Sequence, residues 1–158
     1  MPVAYEGPPT EHAGLEMFLE AQRASILGKL DGLTEAQALS HPTPSDFCLL
    51  TLVKHVAYVE QRWFQLEVAR RDIPGLWPPP DDRELRVEPG DTIESIRALY
   101  EGIIAENREI LAAVDDLGSL SPLKLNRRWV LLHLIEELAR HAGHADIIRE
   151  AIDGTTGA

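Results

Sequence analysis

Near its C-terminal end the chain reads EELARHAGHADIIRE, residues 136 to 150. One carboxylate and two imidazoles stand there at intervals that a helix would bring to one side. At about 100° of rotation per residue, Glu137 and His141 form an i, i+4 pair and His144 follows at i+7, so all three point into one sector. His141 falls near the middle of the apolar stripe set by Leu134, Leu138, Ala145, Ile148 and Ile152, with Glu137 and His144 at its edge. A second stretch, LTLVKHVAYVEQRWF (51 to 65), puts His55 at the edge of a stripe formed by Leu52, Val56 and Val59. Buried polar groups without partners are costly, so those that converge inside a protein satisfy one another or bind something. On one reading, His55 and His141 are core histidines hydrogen-bonded to Glu137, Asn107 or backbone. On the other, two histidines and a glutamate from two helices form an open metal site, with water or substrate completing it. The spacing leaves both open.

Other residues are weaker candidates. Gln22 lies between Leu19 and Ile26, and Asn107 between Ile103 and Ile110, each a polar residue inside an apolar stripe. Trp63, two turns after His55, suits the core or a pocket wall. Arg127 projects near the core side at the start of the last helical pattern, where an arginine can pair with a ligand carboxylate. His133 is rotated away from the stripe of Glu137 and suits a supporting or surface place, and Cys48 reads as a small buried hydrophobe.

Four amphipathic patterns must position these groups, over about residues 11–30, 47–70, 92–116 and 127–152. Ser45 or Asp46 is expected to cap the second, Asp91 the third, and Gly154 to stop the fourth, with one short helical turn after Thr34. Four stripes of this kind bury themselves only against one another, which predicts an all-α four-helix bundle. The connection RDIPGLWPPPDDRELRVEPGD is far longer than the about two to eight residues usual between bundle helices. A connection of that length can cross the bundle, giving up-down-down-up order.

The totals bound the function. The net charge of −11 argues against coating nucleic acid or anionic lipid. Cys48, the single cysteine, excludes an intrachain disulfide and fits a reducing cytoplasm. No apolar run is long enough to span a membrane, and MPVAYEGPPTEH lacks the features of a signal peptide. A monomer or a homodimer fits; the apolar flank IPGLWPPP could serve a dimer contact or a lid.

LTLVKHVAYVEQRWF and RRWVLLHLIEELARHAGHADIIREAIDG (127 to 154) together resemble the DinB-like superfamily, and more closely its mycothiol transferase branch. The resemblance implies an up-down-down-up four-helix bundle. It also implies a divalent metal, zinc or nickel, held by His55, Glu137 and His141, with His144 a candidate fourth ligand or substrate contact. Many relatives carry histidine where this chain has Glu137; a His/Glu/His set is similar to that of mycothiol-dependent maleylpyruvate isomerases. The implied activity is metal-dependent transfer of a low-molecular-weight thiol, mycothiol or similar, to an electrophile. Trp63, Arg127 and Asn107 are candidate substrate contacts. The competing expectations are a metal-dependent hydrolase or isomerase in the same cavity, and a metal-binding bundle without turnover.

Overall fold

The computed structural model describes residues 7–8, 10–79, 81–121 and 123–157; most of the N-terminal stretch read for a signal peptide lies outside them. The fold is all-helical: α1 (Glu11–Gly28), a single turn α2 (Glu35–Ala38), α3 (Leu49–Arg62), α4 (Ile93–Ala112) and α5 (Arg127–Asp153). Among the described residues there is no strand, only an isolated bridge between Leu120 and Asn126. None of the described helices is long and apolar enough to cross a membrane.

Local chemistry sets the helix ends. Thr34 opens α2 with a reciprocal capping box to Gln37, as the turn-rich segment predicts. The cap of α3 is Cys48, neither Ser45 nor Asp46: its backbone is extended, and it exchanges hydrogen bonds with Thr51. Thr92, not Asp91, caps α4 through a box with Ser95. Asp91 is engaged elsewhere, accepting from Lys54 Nζ at 2.6 Å and from the Glu88 amide at 2.8 Å. Gly154 closes α5 in the left-handed region at φ 78°, its N–H returning to Glu150 O. A Cβ there meets no neighbour, so Gly154→Ala is expected to cost about 1 kcal/mol of conformational strain alone, readable as a lower urea midpoint at unchanged slope.

The second pattern does not stay α-helical to residue 70. It widens into π-helical turns over Trp63–Val68. A π turn takes about one residue more than an α turn, so the stripe slips in phase by about 100°. Phe64 and Val68 therefore enter the core, while Trp63 and Leu66, which continue the α-helical stripe in sequence, are half-buried and turn to a side cavity. The first pattern, in which Phe18 has stripe spacing with Leu15, and Gln22 is the polar residue inside the stripe, also differs in two places. Phe18 is 44% exposed, and Arg23, not Gln22, is the buried polar residue at 2%. The core is built from Leu19 and Ile26 of α1, Leu52 and Val56 of α3, Tyr100 of α4 and Leu134 of α5, among others.

α1 packs on α5, and α3 on both α4 and α5. Arg128 pairs with Glu11, and Arg149 donates to Lys29 O at 2.9 Å. His12 Nε2 lies 3.2 Å from Leu111 O, while Arg97 donates to Leu27 O at 3.2 Å. The connection from α3 to α4 carries a short 3-10 turn, Arg83–Leu85, that packs back on α3.

Candidate metal centre

The packing of α3 on α5 brings His55, Glu137 and His141 together. One ligand atom from each lies within 4.8 Å of the others. Each side chain is mostly shielded, with 16% of His55, 24% of Glu137 and 10% of His141 exposed. The rings of His55 and His141 sit 5.1 Å apart at 71°, and Phe47 covers both at 5.9 and 6.4 Å. His141 Nε2 lies 3.1 Å from Glu137 Oε1, whereas its Nδ1 is buried with no hydrogen-bond partner. Burial, and then the neighbouring His55, pulls His141 below the ordinary imidazole range. It is therefore neutral near pH 7, the state in which an imidazole nitrogen can donate a lone pair.

His55 is held from behind by a residue that periodicity does not reveal. Glu84, buried in the 3-10 turn of the connection, lies 3.2 Å from His55 Nδ1 through Oε1. Arg62 grips the same carboxylate with both terminal nitrogens, one of them at 3.1 Å. An ion-paired carboxylate accepts, so Nδ1–H is the donor in this contact, which leaves Nε2 as the nitrogen a metal could use. A carboxylate behind a ligating histidine fixes its tautomer and ring orientation. Glu84→Ala is expected to weaken zinc binding by about 10–100-fold with the helical content intact, measured by competition against a chromophoric chelator.

The other sequence candidates separate from this group. His144 is exposed and stands outside the three-donor cluster, its ring 5.7 Å from that of His141. It lines a cavity of about 300 Å³ with His141, Phe47, Ser45 and Ile147. Trp63 lines a different cavity, of about 330 Å³, with Trp77, His133, Leu123 and Glu137. Arg127 is ten residues from Glu137 on the same helix, hence about 15 Å along its axis. Its guanidinium donates to Val68 O at 3.1 Å and to Ser119. Asn107 is fully buried and donates to Glu60 Oε1 at 3.0 Å, within a core cluster that also includes Arg23 and Tyr100. Trp63 and His144 thus border the cluster, and Arg127 and Asn107 are occupied elsewhere.

Two imidazoles, one neutral by burial, and a carboxylate are a donor set that zinc or nickel accepts. The orphaned His141 Nδ1 marks a polar site that the protein alone does not complete. No curated protein matches the chain significantly. The family model of the mycothiol-S-transferases matches residues 14–154, a span that takes in all but the first three residues of α1, the whole of α2 to α5, and all three donors. The chain belongs to the mycothiol-S-transferase family.

Proposed function

We propose that this protein is a metal-dependent transferase that joins a low-molecular-weight thiol, mycothiol in a host that makes it, to an electrophile. The observation that carries the reading is the convergence of His55, Glu137 and His141, mostly shielded side chains with one ligand atom from each within 4.8 Å of the others, in a mycothiol-S-transferase family member. These three residues would hold the metal, zinc or nickel. A divalent cation there would supply charge that favours a thiolate over a thiol near neutral pH. The chain's own part is to prepare the donors. Glu84 and Arg62 orient His55, burial keeps His141 neutral, and Phe47 shields both rings from bulk water. His144, at the open rim beside His141, is assigned to contact with the thiol co-substrate. In the overall reaction the thiol sulfur forms a bond to the electrophilic carbon, and the thiol proton and the leaving group depart.

The scaffold in this reading is a four-helix bundle in up-down-down-up order. Its support is the pairing of helix ends: Glu11 with Arg128 and Lys29 with Arg149 across α1 and α5, and His12 with Leu111 against Leu27 with Arg97 across α1 and α4. The buried free Cys48 suits a reducing compartment such as the cytoplasm.

The test is conjugation of mycothiol to 1-chloro-2,4-dinitrobenzene by zinc- and nickel-loaded protein, followed by product absorbance. Turnover that requires both thiol and metal supports the transferase. Turnover without added thiol would turn the assignment toward hydrolysis or isomerisation.

A further inference from the structure

We infer that the electrophile is a planar aromatic compound, held in the tryptophan-lined cavity beside Glu137; its role as electrophile rests on the transferase reading above. The chain has three tryptophans, and all three gather here. Trp63 and Trp77 line the cavity together with His133, Leu66 and Leu123. Trp129 backs that wall, stacked on His133 at 5.2 Å with the planes 15° apart and lying 5.9 Å from Trp63. Trp63 meets His133 edge to face at 4.7 Å.

These separations fall in the about 4.5–7 Å range in which aromatic rings attract through their quadrupoles as well as through buried area. A further flat ring can extend such an array, whereas a puckered saturated ring of the same size gains only the area. The cavity beside His141 shares no lining residue with this one and has no tryptophan in its described wall. The tryptophan cavity is joined to the metal ligands twice. Glu137 is part of its wall, and Arg62, also in that wall, lies 5.5 Å over the Trp77 ring while gripping the Glu84 that holds His55. Its volume of about 330 Å³ is at the lower end for small-molecule sites, a size that suits one or two fused rings.

The experiment is a calorimetric titration of chelator-treated protein, without thiol or metal, using 2-naphthol and its saturated counterpart decahydro-2-naphthol. Naphthol is expected to bind roughly fivefold or more tightly than the saturated ring. Trp63→Leu and Trp77→Ala should each remove most of that preference, and Ile147→Ser in the other cavity should leave it unchanged. Trp77 is 66% exposed, so its replacement tests the cavity even if Trp63→Leu fails to fold. Equal affinities, absence of binding, or binding that depends on Ile147 and not on the tryptophans overturns the inference. Protein that takes naphthol but no metal keeps the aromatic site and loses the transferase reading; protein that takes metal but no naphthol does the reverse.

Discussion

Alanine in place of His141 is expected to abolish zinc and nickel binding and thiol transfer together, while the helical circular dichroism spectrum stays as it is. Deleting one of three donors should exceed the about 10–100-fold loss that follows removal of a supporting carboxylate, so metal content should fall below detection by mass spectrometry of untagged protein. The fold should tolerate the change because the two structural costs oppose each other. Removing the ring opens a cavity, but it also removes a buried Nδ1 that has no partner, a group worth about 1–3 kcal/mol of desolvation. His55→Ala should behave alike, and Glu137→Gln should fall between, since it keeps an oxygen but loses the charge. Thermal melting gives a second readout. At metal a hundredfold above its dissociation constant the wild type should gain about 2.7 kcal/mol, or roughly 5–10 °C for a chain of this size, and His141→Ala should gain nothing. A variant that loses both metal and helical structure would instead make the site a structural staple.

The features visible in the sequence and those hidden from it divide along a physical line. Helical periodicity is a local signal, so it placed Glu137 and His141 on one face and His55 on the inward edge of its own helix. It could not place Glu84. That residue sits among prolines and aspartates in an aperiodic connection, and only the packing of its 3-10 turn on α3 brings it behind His55. The π turns at Trp63–Val68 were hidden for a related reason. The residues there fit an α-helical stripe, and tertiary packing chose a different phase that sends Trp63 to the cavity and Phe64 to the core. Caps were legible to within a few residues; Cys48 displaced Ser45 and Asp46 because Thr51 stands three residues on to complete its box. On α1 the stripe reading favoured Gln22 by position, but the charge of Glu60 across the core selects Arg23 instead.

Glu60 is therefore the site of the largest expected effect on stability. It is fully buried, and its carboxylate accepts from Arg23 Nε at 2.9 Å, Tyr100 Oη at 2.8 Å and Asn107 Nδ2 at 3.0 Å, joining α1, α3 and α4. Glu60→Ala would leave the Arg23 guanidinium, only 2% exposed, as a buried charge with just Glu20 beside it. Breaking a buried pair in this way costs about 3–5 kcal/mol, a large part of the about 5–15 kcal/mol that holds a domain folded. Chemical denaturation should register it as a lower midpoint. The double variant Arg23→Leu/Glu60→Leu removes both charges and should recover much of that loss. Its failure to do so would locate the cost in the stranded Tyr100 and Asn107. The cluster also predicts a pH dependence. Burial, then the charge of Glu60, holds the Tyr100 hydroxyl well above its ordinary range. Above about pH 10 the unfolded chain releases this proton while the folded chain keeps it, so unfolding gains and stability falls as pH rises. Tyr100→Phe is expected to flatten that alkaline limb at the cost of one hydrogen bond to Glu60; an unchanged limb would show that Tyr100 does not govern it.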